Sequence, residues 1–265
     1  MIIKVKNVEN LIVDKKPIDN GGTSFIYEIS KNYYFKLFFS KKEGNNYQDL
    51  RRHFNFYKLK MLKVLSSLEN VPNYIQPIHI FKSNTSLFGY TSLKINGKSL
   101  IKLADDTTII PLFNSINGLR STIWQICKNR IIPCDVASRN LLFDGENLYL
   151  IDLDDSVFNF EISYETVYIE TMMYVLESIK NILISELHTL KYISTELPDL
   201  ESIDKYYDGS YLDDSKLLSL EKQYAKGDLD DYSLYFDTLL EIINNYRICE
   251  VSTLGEMRQA IRRKR

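Results

Sequence analysis

The sequence contains little cysteine and little histidine. Its three cysteines are Cys127, Cys134 and Cys249, an odd number without the spacing of a metal site. This usage predicts neither a disulfide framework nor a zinc cluster, so we expect a cytoplasmic protein, or one delivered into a reducing cytosol. The three histidines are scattered along the chain, and we expect each in a core or surface role.

Long apolar runs and an excess of charge of one sign are also absent. No segment approaches the about 18 consecutive apolar residues of a membrane-spanning helix. Residues 1–16 have too short an apolar run and too many charges for a signal peptide. The net charge of −2 gives no general attraction for nucleic acid or an anionic membrane. We therefore expect no nucleic-acid partner and no membrane span.

Strand patterns fill the first part of the chain, and helix patterns fill the rest. Residues 47–68 have an apolar repeat of helical period and predict the one helix of the first part. Strands are predicted there at 1–13, 18–29, 33–39, 75–81 and 87–95. Later helices are predicted at 110–128, 166–193, 215–224, 232–246 and from Thr253 onward. The pattern predicts an α+β, bilobal fold, with a small five-stranded antiparallel lobe and one helix in residues 1–95, and a larger helical lobe in residues 96–265.

Residues 134–154 place three oxygen ligands around a predicted β-hairpin with its turn at 144–147. Asp135 lies five positions before Asn140, and Asp152 ends the second strand of the hairpin. The hairpin would bring these three side chains together at one end. Few carboxylates combined with phosphate oxygens suit Mg²⁺. The layout therefore favours phosphoryl transfer over a polar hairpin with unrelated acids.

A lysine in the middle of the aromatic strand at 33–39 is a further candidate. Lys36 is costly in such a strand unless its ammonium group meets an anion. The alternative is an edge strand on which the lysine points to solvent. The residues of this strand alone leave both interpretations open.

These pieces, in this order, resemble the protein kinases, as a divergent bacterial-type member, over nearly the whole chain. The resemblance rests on the spacing from Asp135 to Asn140, the strand ending in Asp152, and the strand lysine Lys36. It implies that Lys36 contacts the α- and β-phosphates of ATP, and that Asp135 orients or deprotonates the acceptor hydroxyl. It also implies that Asn140 and Asp152 hold Mg²⁺ against the β- and γ-phosphates.

The same resemblance implies a nucleotide-binding set in the first lobe. Gly21 and Gly22 stand where a glycine-rich loop would approach the phosphates, although the flanking glycines of that loop are replaced. Ile26 follows them in the next strand, and Leu93 and Ile95 lie in the segment that resembles the hinge, whose backbone would bind adenine.

Several positions depart from the family pattern. Pro133 and Cys134 replace the His-Arg pair before the catalytic aspartate, which argues against control by a phosphorylated activation loop. Asp154 replaces a glycine and is either a further metal ligand or, as we favour, a solvated turn acid. Residues 55–62 lack the helix acid that should pair with Lys36. The segment after Asp154 is short, which leaves little platform for a peptide.

The expected function is ATP- and Mg²⁺-dependent transfer of the γ-phosphate to a protein hydroxyl, with serine, threonine and tyrosine all open. Two alternatives remain. The short segment after Asp154 suits a small-molecule kinase on the same fold. The altered glycine loop and the missing helix acid suit a catalytically inactive pseudokinase that binds nucleotide or a partner.

Overall fold

The computed structural model of the chain describes residues 1–20, 24–38, 47–69, 71–184, 215–229, 234, 238 and 252–262. Within them the protein is a mixed α+β structure, with a multi-stranded sheet built mainly from the first part of the chain and helices dominating the rest. Gly21, Gly22 and nearly all of the helix predicted at 232–246 lie outside the described residues.

Among the described residues, six strands form the main sheet, in the spatial order β1-β5-β6-β4-β3-β2. In chain order they are β1 (Ile2–Lys4), β2 (Asp19–Asn20), β3 (Ser24–Ser30), β4 (Tyr33–Phe38), β5 (His79–Lys82) and β6 (Leu87–Leu93). Strand β1 pairs with β5 in parallel, and the other neighbours are antiparallel.

The prediction of a five-stranded, wholly antiparallel sheet with one helix is therefore wrong. A short helix, α1 (Glu9–Ile12), follows β1, and the chain then reaches β2 at the opposite edge of the sheet. The Met1 ammonium group donates to the Ile78 carbonyl at 2.7 Å and so ties β1 beside β5. The alternation of apolar and polar residues marks a strand but does not specify its neighbour or its direction.

The sheet holds Phe35 and Lys36 on opposite faces, as successive residues of a strand must be. Phe35 is fully buried against Val8 and Phe81. The face that bears Lys36 is covered by helix α2 (Tyr47–Leu65), whose Leu62 packs with residues of β5 and β6. Helix α2 thus covers Lys36 on this face of the sheet.

The remaining elements form a second, larger group. They are β7 (Lys98–Ser99), α3 (Ile109–Lys128), β8 (Ile131–Ile132), β9 (Leu141–Phe143), β10 (Leu148–Leu150), β11 (Val157–Phe158), α4 (Tyr164–Ile184), α5 (Ser215–Lys226) and α6 (Leu254–Arg262). Strands β10, β9 and β7 form one small sheet, and β11 pairs with β8. The largest apolar core joins α3, α4 and the β9–β10 hairpin to Met61 and Leu65 of α2.

The predicted helices at 110–128 and 215–224 are confirmed, and α4 is described as far as Ile184. The helix predicted from Thr253 onward is α6, and it begins with a capping box in which the Thr253 hydroxyl accepts from the Glu256 amide and the Glu256 carboxylate accepts from the Thr253 amide. The boundary predicted between residues 95 and 96 stays a prediction. None of the described helices has both the length and the apolar composition to cross a membrane.

Candidate functional site

The predicted hairpin is confirmed, and its open end brings together the residues on either side of it. Strands β9 and β10 pair in antiparallel register, and Asp144 closes the turn by accepting from the amides of Glu146 and Asn147 at 2.9 and 2.7 Å. At the opposite end the Ile151 amide donates to the Asn140 carbonyl at 3.0 Å. Asn140 and Asp152 are therefore neighbours across the end of the hairpin, as the sequence predicts.

Asp135 is fixed on the loop before the hairpin by two side chains. The Asn140 amide donates to its carboxylate at 3.0 Å and to its carbonyl at 2.8 Å. The Arg139 guanidinium donates to the other carboxylate oxygen. Since the amide nitrogen of Asn140 faces Asp135, the amide oxygen of Asn140 is the atom that could bind a metal ion.

Asp135 and Asp152 share an uncommon backbone conformation. Both adopt the left-handed region, with φ of 60° and 65°. Residues other than glycine adopt it rarely, and aspartate is among those that tolerate it best. Such conformations are concentrated at functional sites, where the surrounding structure holds them in place.

The Lys36 side chain extends from strand β4 of the main sheet to the acids at the open end of the hairpin. Strand β4 is central, so the lysine is buried, and the interpretation as a solvent-facing edge lysine is excluded. Its ammonium group donates to Asp152 Oδ1 and, at 2.7 Å, to Asp154 Oδ1. The structure thus brings Lys36 to the acids at the end of the hairpin.

Asp154 and Lys58 complete the charge cluster. The Asp154 side chain is fully buried, so the prediction of a solvated turn acid is wrong for this residue. Its second oxygen lies 2.7 Å from Nζ of Lys58, a buried lysine of α2. Lys58 also donates to Asp155 at 2.8 Å, and its ammonium group lies 4.3 Å from the centre of the Phe38 ring.

The cluster shifts the pKa values of its members in different directions. Burial raises the pKa of Asp152 to about 7, with a further contribution from Asp154 that Lys36 only partly opposes. Burial would also raise the pKa of Asp154, but the hydrogen bond with Asp152 and the charges of Lys36 and Lys58 hold it well below its usual range. Burial would lower the pKa of Lys36, yet the charges of Asp154 and Asp152 keep it raised. Asp154 therefore stays ionised at neutral pH.

Two of the other predicted nucleotide-binding residues, Ile26 and Leu93, lie on the same sheet. Ile26 on β3 pairs directly with Lys36 on β4. Leu93 is the exposed last residue of β6, three positions beyond Tyr90, the residue of β6 that pairs with Lys36. Ile95 follows in the half-buried connection to β7.

Sequence reasoning missed Lys58, because only an acid was sought on α2. A signal was present in the helical period. Lys58 precedes Met61 by three positions and Leu62 by four, so it lies on the face of α2 that both residues bury. A lysine on a buried helix face requires an anionic partner, and Asp154 and Asp155 provide it.

The described residues contain no cluster of three or more His, Cys, Asp or Glu side chains that could hold a metal ion by themselves. The oxygen atoms of Asp152 and Asn140 are nevertheless of the hard type that Mg²⁺ prefers. Mg²⁺ is commonly bound by one or two protein carboxylates together with phosphates and water. The donor set therefore fits a magnesium ion that arrives with a nucleotide, and does not fit a preformed protein cage.

In comparisons with known proteins, no family model matches this sequence, and no curated protein is significantly similar to it.

Proposed function

We propose that this chain is an ATP- and Mg²⁺-dependent phosphotransferase with a bilobal, protein-kinase-like arrangement, and that its acceptor is a protein hydroxyl. The observation that best supports the proposal is the ion pair between Lys36 and Asp152, which joins two residues 116 positions apart. In a phosphotransferase of this kind the phosphate-binding lysine and the metal-binding aspartate serve one nucleotide, so the two residues must lie close together.

Each residue of the site has a role in this proposal. Lys36 would bind the α- and β-phosphates, and the Asp152 carboxylate with the Asn140 amide oxygen would hold Mg²⁺, which neutralises phosphate charge when bound. Asp135, held by Asn140 and Arg139, would orient the acceptor hydroxyl.

The adenine and the phosphates would lie along the sheet. Ile26 and the backbone at Leu93 and Ile95 would contact the base and sugar, with Gly21 and Gly22 close to the phosphates. These contacts stay predictions.

A small-molecule acceptor is the second candidate, and the segment at 156–163 favours it. Strand β11 pairs with β8, and Asn159 folds the rest into a tight turn by accepting from the Glu161 and Ile162 amides at 3.1 and 2.9 Å. The Asn159 amide nitrogen donates to the Ile162 carbonyl at 2.6 Å. A segment folded back in this way offers a peptide substrate little extended backbone to pair with.

The test is incubation of the purified chain with ATP and Mg²⁺, followed by intact-mass measurement of the chain and of added acceptor proteins. We expect mass gains in steps of one phosphate for the wild type and none for Asp135→Ala. Asp106→Ala, which removes an exposed acid elsewhere, is the matched control and should behave as the wild type.

The other outcomes separate the alternatives. ATP hydrolysis stimulated only by a metabolite would favour the small-molecule kinase. Thermal stabilisation by ATP and Mg²⁺ without any turnover would favour a pseudokinase, in which the Arg139–Asp135 ion pair keeps the acid from an acceptor. If ATP neither stabilises the chain nor is consumed, the proposal is wrong.

A further inference from the structure

The buried acid that contacts Lys36 is Asp154, in the segment after the hairpin, and helix α2 contributes a second lysine. Each oxygen of the Asp154 carboxylate contacts one of the two lysines: Oδ1 lies 2.7 Å from Lys36 Nζ, and Oδ2 lies 2.7 Å from Lys58 Nζ. We refer to these three residues as the Lys36–Asp154–Lys58 bridge. It connects β4, the segment after the hairpin, and α2 through two direct ion pairs.

The two acids beside Lys36 differ in exposure, and this difference separates their roles. The side chain of Asp152 is 36% exposed, whereas that of Asp154 is 0% exposed. Asp152 can therefore bind a metal ion that arrives from solvent, whereas the Asp154 side chain is closed to solvent. When Asp152 engages a metal ion, Asp154 remains as the acid that holds the ammonium group of Lys36.

Asp154 can hold Lys36 in a fixed place only if it is fixed itself. A fully buried carboxylate needs compensation for both oxygens, because an uncompensated buried charge is strongly destabilising. Lys58 supplies positive charge at Oδ2 through an ion pair at 2.7 Å, and among the described residues this oxygen accepts no hydrogen bond. Lys58 is anchored in turn by Asp155 at 2.8 Å and by the ring of Phe38.

From this geometry we infer that Lys58 is a positioning residue: acting through Asp154, it fixes Lys36 for nucleotide phosphates and makes the placement of Lys36 depend on the position of α2. The inference rests on the proposed function. It assigns to Lys58 the coupling between helix and site for which residues 55–62 offer no acid.

The electrostatic balance points the same way. Two ammonium groups, Lys36 and Lys58, face the three carboxylates Asp152, Asp154 and Asp155. Without Lys58 the cluster would be more negative by one charge and would repel the phosphates of a nucleotide more strongly. Lys58 therefore supports nucleotide binding without touching the nucleotide.

The test compares Lys58→Met and Lys58→Arg with two control variants of α2 in the full chain. Lys63→Met removes an exposed lysine, and Leu65→Ala destabilises the buried face without touching the bridge. The readouts are displacement of a fluorescent ATP analogue by ATP with Mg²⁺, the KM for ATP, kcat and the melting temperature.

We expect Lys58→Met to weaken ATP binding at least about tenfold, which corresponds to about 1.4 kcal/mol, and to raise the KM for ATP. Lys58→Arg should stay within about threefold of the wild type, because it keeps the charge. Lys63→Met should be unchanged. If Leu65→Ala, at an equal loss of melting temperature, weakens ATP binding as much as Lys58→Met does, the role of Lys58 is only structural and the inference is overturned.

A double variant, Lys58→Met with Asp154→Leu, covers the case in which Lys58→Met does not fold. It removes both charges, so we expect it to regain stability and still bind ATP weakly; ATP binding at the wild-type level would overturn the inference. A wild type that neither binds ATP nor transfers phosphate would refute the proposed function itself. A wild type that does both, with Lys58→Met equal to Lys63→Met, would refute the inference alone.

Discussion

Substitution of Gly89 by alanine should break the strand pairing that positions Lys36. Gly89 lies on β6 opposite Leu37 of β4 and opposite Phe81 of β5. A Cβ atom at this position would lie 1.9 Å from the carbonyl oxygen of Lys36 and 2.9 Å from its carbonyl carbon. Both atoms belong to the backbone, so no side-chain rotation can relieve the contact.

The magnitude follows from the shift that the new atom requires. Strands β4 and β6 would have to separate by about 1.1 Å to bring the distance to Lys36 up to 3.0 Å. That separation stretches neighbouring N–H···O bonds from about 2.9 Å to beyond 3.5 Å, which breaks them. Each buried backbone group left unpaired costs about 1–3 kcal/mol. Two such groups give a loss of about 3 kcal/mol, a large share of a typical stability of about 5–15 kcal/mol.

The assay is urea unfolding followed by far-UV circular dichroism and by the fluorescence of Trp124. This residue is the one tryptophan of the chain, and it packs edge-on against Tyr164 and Tyr168 with ring centroids 5.2 and 5.1 Å away. With an m value of about 2 kcal/mol per molar urea, we expect the midpoint to fall by about 1.5 M.

The control is Gly145→Ala, at the turn of the hairpin. Gly145 has φ of 106° but nothing within 4 Å of a new Cβ atom, so only conformational strain opposes the substitution. That strain should cost about 1 kcal/mol or slightly more. If Gly89→Ala costs no more than Gly145→Ala, the close approach of β6 to Lys36 does not exist as described.

Two further predictions concern thiol reactivity and acid stability. Burial raises the pKa of the Cys127 thiol to about 12. When the protein is alkylated at about pH 8 and the modified residues are mapped by peptide mass spectrometry, Cys127 should be unmodified in the native protein and modified in urea. Comparable labelling in both states would contradict the burial of Cys127. The Asp144 carboxylate has a lowered pKa: burial would raise it, but hydrogen bonds from the Asn147 and Glu146 amides outweigh that effect. A lowered folded-state pKa stabilises the fold above the unfolded-state pKa of about 3.9, and this contribution is lost as the pH falls through the folded value. At neutral pH, Asp144→Ala should therefore lower the free energy of unfolding by less than about 1 kcal/mol, because the carboxylate is largely exposed. In urea unfolding, the difference in stability between this variant and the wild type should shrink as the pH falls below about 4. A difference that grows with acidification would refute this account.

The β-hairpin of the candidate site could be predicted from the sequence because its contacts are local. Asn140 and Asp152 flank two short strands joined by a turn, so pairing of the strands brings them together whatever the rest of the chain does. Helix α3 could be predicted for the same reason, since its buried residues repeat with the helical period.

The sheet was predicted less well, and the reason is its long-range pairing. The parallel pairing of β1 with β5 joins Ile2 to Ile80, residues far apart in the sequence, and no periodicity encodes such a contact. The burial of Asp154 was missed because an acid after a strand is normally solvated. Only the arrival of α2 and β4 on either side of Asp154 surrounds it with lysines.

The sequence by itself determined the local structures and the types of polar group within reach of one hairpin: an aspartate, an asparagine and an aspartate. It did not determine which acid accompanies Lys36, because that choice is made between residues more than a hundred positions apart. The tertiary structure decided it, when the packing of α2 on the sheet placed Lys58 beside Asp154. A buried carboxylate needs a positive partner close by, and here the two lysines come from elements far apart in the sequence, so the environment of Asp154 is a property of the folded chain.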